Sequence, residues 1–145
     1  MRTKQKSLPN HQSQLSFDFS SAVQTFFKLC SLENIIETLP KLFPEQQEDV
    51  LFAENRFEHS KGILFTNGTG TGKTYTALGI IKRFKLQNKN NVLIVVPTDK
   101  KAKDWILEAN VLELSIRQLE SINCAYEGIT VTTYSNFYQN EAINL

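Results

Sequence analysis

Cysteine is scarce. Cys30 and Cys124 are the only two in 145 residues, far apart and without CxxC spacing. That excludes a disulfide framework and a thiolate metal centre, and the pair reads as reduced, partly buried thiols of a cytoplasmic protein. Histidine is equally scarce: His11 and His59 have no ligand spacing around them and read as solvated or capping residues. No Ser/His/Asp or Cys/His arrangement stands out. Charge of one sign is not in excess either, since 16 Lys and Arg face 15 Asp and Glu for a net charge of +1. Any basic surface for nucleic acid must therefore be local. No apolar run approaches the about 20 residues of a membrane-spanning helix. The polar stretch Met1–Ser13 lacks the apolar core of a signal peptide. A cytoplasmic protein without membrane association is the expectation. Internal repeats and low-complexity segments are also missing.

What is present is a globular composition, with 41% hydrophobic and 21% charged residues, enough for one modest domain with a core. Residues 1–19 read as a disordered tail. Residues 20–41 read as a helical extension, with Val23, Phe26, Phe27, Leu29, Leu32, Ile35, Ile36 and Leu39 at helical spacing. Pro40 and Pro44 break it, and Glu45–Phe57 returns to helical spacing. From there strands and helices alternate. Gly62–Thr66 is predicted as a short strand and Lys73–Gln87 as a helix with Ala77, Leu78, Ile80, Ile81 and Phe84 inward. Asn88–Asn91 is predicted as a turn and Val92–Val96 as a buried strand. Asp99–Asn110 is predicted as a helix with Ala102, Trp105, Ile106 and Ala109 inward. Leu112–Leu119 is predicted as a strand, Ser121–Gly128 as a loop, Ile129–Thr132 as a strand, and a short helix follows from Ser135. The alternation predicts an α/β fold with a parallel sheet flanked by helices.

The segment Asn67-Gly68-Thr69-Gly70-Thr71-Gly72-Lys73-Thr74 lies between the predicted strand and helix, the context a phosphate-binding loop requires. Consecutive backbone N–H groups in a tight turn form a concave nest for anions, and the following helix adds the positive end of its dipole. Gly68, Gly70 and Gly72 give the backbone the freedom to approach phosphates closely. Lys73 is the candidate catalytic residue, placing an ammonium on the β- and γ-phosphates of ATP, and Thr74 is the candidate Mg²⁺ ligand. The strict pattern has glycine at the first position, where this chain has Asn67.

The run Thr69–Thr74 resembles motif I of the superfamily-two helicases and translocases, and further segments follow in the order of that family. Leu42-Phe43-Pro44-Glu45-Gln46 is similar to the Leu-x-Pro-x-Gln segment of Swi/Snf-type and DExH ATPases. The resemblance implies that Gln46, with Gln47 as the alternative, reads the adenine edge, which an amide matches with one donor and one acceptor. Val92–Thr98 followed after six residues by Trp105 is similar to motif Ia. Ile129–Tyr134 resembles the later strand-Thr-Thr-Tyr segment of the same ATPases. The resemblance places Thr98, Thr132 and Thr133 on the nucleic-acid side, with Lys100, Lys101 and Lys103 adding local positive charge. It implies a partial RecA-like P-loop NTPase domain over residues 42–145, with ATP and Mg²⁺ as cofactors and DNA or RNA as partner.

The Asp-Glu pair of motif II, needed to hold Mg²⁺ and orient the attacking water, does not follow any strand of this sequence. Val50-Leu51-Phe52-Ala53-Glu54 is superficially similar but precedes the loop. No candidate arginine finger and no second RecA-like lobe is present. The expectation is the first half of a first lobe that binds ATP and hydrolyses it poorly alone. A non-catalytic interaction module derived from such an ATPase is the alternative. A small P-loop kinase fits less well, for lack of an arginine-rich lid. Gln14–Phe19 resembles peptides that dock on bacterial sliding clamps, although the same apolar residues would also tack the tail onto a core.

Overall fold

The computed structural model describes residues 31–119 and 128–138. Helix α1 (Leu32–Thr38) opens at Ser31, whose side chain accepts a hydrogen bond from the Asn34 N–H. Helix α2 (Pro44–His59) has proline at its first position, where the missing N–H costs nothing. Helix α3 (Lys73–Leu86) follows the glycine-rich loop. It ends near Asn88, which takes a left-handed φ of 62°. Strand β1 (Val92–Val96) leads into α4 (Asp99–Val111), then β2 (Ile116–Gln118), β3 (Ile129–Thr133) and the short α5 (Tyr134–Tyr138).

The three strands form one parallel sheet in the order β1-β3-β2. Val92, Ile94 and Val96 stand in register with Ile129, Val131 and Thr133, so β1 and β3 end at the same rim. Because side chains alternate along a strand, Ile94, Val96, Ile129, Val131 and Ile116 share one face. That face joins Ala102 and Ala109 of α4 in the core, which continues to Leu78, Ile80 and Ile81 of α3 and to Ile35, Leu39, Leu42 and Val50. Trp105 and Ile106 pack on the core while only partly buried. This is the α/β architecture expected from the alternation, a small parallel sheet flanked by helices as in a partial RecA-like domain.

Helices α2 and α3 approach closely at Gly79. A Cβ there would lie 2.8 Å from Leu42 Cδ2 and 3.0 Å from Val50 Cγ2. One turn further on, Arg83 is fully buried and donates from Nε and Nη2 to the two carboxylate oxygens of Glu54, at 2.7 and 3.0 Å. Its Nη1 also reaches Asn34 and Thr38 of α1, so one guanidinium ties three helices together. Glu54 is thus a structural residue within α2, on the helix where the sequence placed it.

Two elements differ from expectation. Gly62–Thr66 forms no strand: it has no regular secondary structure, Ile63 and Phe65 pack against the core, and Leu64 is 84% exposed. Its apolar pattern is that of a strand, but no described strand lies alongside to complete a ladder. Strand β2 is also shorter than Leu112–Leu119. The N–H groups of Leu112 and Leu114 bond the Ala109 carbonyl and that of Glu113 bonds Asn110, with Glu113 at φ 61°. The alternation over 112–115 is therefore the C-terminal cap of α4, which consumes the main-chain groups that a strand would need. Residues 1–30, with the predicted tail, the segment Gln14–Phe19, His11, Cys30 and residues 20–30 of the predicted helical extension, lie outside the described residues, as do Cys124 and most of the predicted loop Ser121–Gly128. Among the described residues no helix is long and apolar enough to cross a membrane. Among these same described residues no group of three or more His, Cys, Asp or Glu is placed to hold a metal ion.

Candidate phosphate-binding site

The glycine-rich loop turns into α3 through two left-handed residues, Gly70 at φ 85° and Gly72 at φ 75°. Gly72 is the N-cap, and its carbonyl accepts from the N–H groups of Tyr75 (2.8 Å) and Thr76 (3.2 Å). A side chain at position 72 is strained by the φ, and its Cβ would also have to push the Gln46 amide aside. The Thr71 hydroxyl donates to the Gly68 carbonyl at 3.0 Å, closing the turn on itself. Lys73 folds back over the loop, its Nζ donating to the carbonyls of Gly68 (2.6 Å) and Asn67 (3.0 Å). Thr69 is exposed, and Thr74 sits half-buried in the first turn of α3. The positive end of this helix dipole, the left-handed glycines and an ammonium on a flexible stem thus converge on one concave loop.

Helix α2 holds that loop from the side. Gln46, at the third helical position, accepts from the Phe43 N–H through Oε1 (3.0 Å), half of a capping box. Its Nε2 donates to the Thr71 carbonyl at 3.3 Å. Gln47, the alternative at sequence level, instead donates to the Leu39 carbonyl and braces the turn between α1 and α2. Of the two amides, Gln46 is the one at the loop. One turn on, Asp49 accepts from Asn67 Nδ2 at 2.7 Å. Asp49 escaped the sequence reading. Its signal is its place three residues after Gln46, on the same helix face.

The residues assigned to nucleic acid fall in a second group, at the rim where β1 and β3 end. Thr98 and Lys100 are exposed at the start of α4. The Thr98 hydroxyl oxygen accepts from the Lys101 N–H at 3.2 Å, which leaves its O–H proton free to be donated. Lys101 lies 3.9 Å from Asp104, and Lys103 is exposed on the same helix. Thr132 and Thr133 are buried in β3. Thr133 accepts from the Asn136 N–H and so caps α5, while the Thr132 hydroxyl has no hydrogen-bond partner among the described residues.

A protein-family model described as "Type III restriction enzyme, res subunit" matches residues 32–143. The chain belongs to this family. The res-subunit family is helicase-like, with the RecA-like fold of superfamily two and an ATP-dependent activity. The match spans the loop, Gln46, the start of α4 and β3 together, so the motifs that carried the resemblance lie within one family domain. Comparison with curated proteins and with solved structures gave no match.

Proposed function

We propose that this res-subunit domain binds ATP with Mg²⁺ at the loop Asn67–Thr74 and serves as the nucleotide-binding part of a nucleic-acid-dependent ATPase. The observation that carries this reading is the seating of Lys73. Its ammonium rests on two loop carbonyls at the mouth of a turn whose left-handed glycines lead straight into a 14-residue helix. A polyphosphate gives that ammonium a charged acceptor in place of two neutral carbonyls, at the point where helix N–H groups also converge. Thr74, one residue into the helix, is positioned to offer its hydroxyl to Mg²⁺. The bound metal supplies charge neutralisation of the phosphates.

Gln46 supports a preference for adenine, since it already stands at the loop with one donor and one acceptor in use and both exchangeable for a base edge. Thr98 and Lys100 are the residues we assign to the nucleic-acid backbone. Thr133 borders them at the end of β3, and Thr132 shapes that rim from within the sheet. The sequence holds no strand followed by Asp-Glu, so turnover by the chain alone is expected to be slow at best. Fluorescence titration with an ATP analogue and Mg²⁺ tests the reading. Lys73→Ala is expected to weaken binding by at least about tenfold, the loss of one charge-assisted contact. Equal binding by wild type and Lys73→Ala, or none by either, sinks the proposal.

A further inference from the structure

We propose that Asp49 is a positioning residue for the phosphate loop, tethering it through Asn67, and that α2 thereby clamps the loop at both ends. The inference rests on the ATP-binding reading and extends it to a residue that no motif contains. The loop begins with Asn67 where the strict pattern has glycine. The Asn67 side-chain amide donates to the Asp49 carboxylate at 2.7 Å. A carboxylate acceptor makes this a short, charge-assisted contact. At the other end of the loop, Gln46 bonds the Thr71 carbonyl. Gln46 and Asp49 are three residues apart on one helix, so a single rigid face fixes both ends of the turn.

The tether reaches the lysine. Asn67 offers its own carbonyl to Lys73 Nζ at 3.0 Å, so holding the Asn67 side chain also holds the seat of the ammonium. Asp49, Asn67, Lys73, Phe65 and Thr76 line one small cavity beneath the loop. A negative charge next to a phosphate site is unfavourable for an anion by simple Coulomb repulsion. If instead its hydrogen bond orders the loop, its loss weakens binding, so the two roles predict opposite signs.

The decisive comparison uses the full chain and a fluorescent ATP analogue with Mg²⁺. Asp49→Ala removes both the charge and the acceptor, whereas Asp49→Asn removes the charge and keeps an acceptor oxygen for Asn67. Positioning predicts that Asp49→Ala weakens binding by roughly three- to tenfold while Asp49→Asn stays close to wild type. Asn67→Gly should match Asp49→Ala, and the double variant should be no worse than either single one. In the absence of nucleotide, amide hydrogen exchange over residues 66–72 should be faster in Asp49→Ala and Asn67→Gly than in wild type. A purely electrostatic role predicts tighter binding for both Asp49 variants and overturns the proposal. Unchanged exchange in Asn67→Gly overturns it as well, and this exposed variant serves if Asp49→Ala fails to fold. If wild type binds no nucleotide, the ATP reading fails, while the exchange comparison still decides the tether.

Discussion

Gly72 shows how narrowly single positions in this loop are constrained. Its φ of 75° costs an L-residue about 1–2 kcal/mol, and a methyl group there must displace the Gln46 amide from Thr71. Gly72→Ala is therefore expected to weaken binding of an ATP analogue by more than about tenfold, the sum of the two losses. Its thermal midpoint should fall by only a few degrees, because the core is untouched. Titration and a melt of the same variant check both halves. At this scale the loop's conformation was legible, since the spaced glycines predict the left-handed turns that Gly70 and Gly72 take. Asp49 was not. Its partner lies 18 residues away, and an acid on a half-exposed helix reads as solvated until the fold brings Asn67 to it. Gln46 and Gln47 were adjacent and chemically equal in the sequence. Only the direction of each side chain from α2, one toward Thr71 and the other toward Leu39, separates them.

Among the elements, α3 carries the loop at its first turn and is fixed to α1 and α2 by its last two. Arg83 is 1% exposed and Glu54 4% exposed, so removing one partner leaves an uncompensated charge inside the helical layer. Glu54→Ala is expected to destabilise the fold by about 3–5 kcal/mol, and the double replacement Glu54→Met/Arg83→Leu by much less. Urea unfolding of the three variants measures this, and a double variant as unstable as Glu54→Ala would refute the pairing argument. Gly79 offers an independent check on the same interface. Alanine gains about 1 kcal/mol of helix propensity over glycine but must displace Leu42 or Val50, at a cost of about 1–3 kcal/mol for overpacking. Net destabilisation is expected. The elements were legible where period and burial agreed, as in β1 and α4. They were misread at 112–115, where helix capping and strand alternation place leucines at the same spacing. Pattern cannot separate the two, because the difference lies in which carbonyls their N–H groups reach.

For the whole molecule the telling feature is the sheet's boundary. Among the described residues β1 is an edge strand, bonded to β3 on one side only, and Ile63-Leu64-Phe65 belongs to no strand. The sequence marked this segment as a strand because its side chains have the right alternation. What the alternation does not encode is whether a neighbour stands beside it. Parallel sheets are normally covered on both faces and closed at their edges by further elements. A strand edge left unpaired favours pairing with another chain. The domain is therefore expected to self-associate at micromolar concentrations, visible as a concentration-dependent sedimentation coefficient. Leu64, 84% exposed, contributes little to the core. Leu64→Lys should thus suppress association while leaving the thermal midpoint within about 2 °C of wild type, in line with the small effects of exposed substitutions. It should also leave affinity for an ATP analogue unchanged, because Leu64 is exposed and takes no part in the hydrogen bonds that hold the loop. Loss of nucleotide binding together with association would instead favour an interaction module whose loop is ordered only by its partner. Retention of binding by a monomeric Leu64→Lys chain supports the nucleotide-binding reading at the scale of the whole domain.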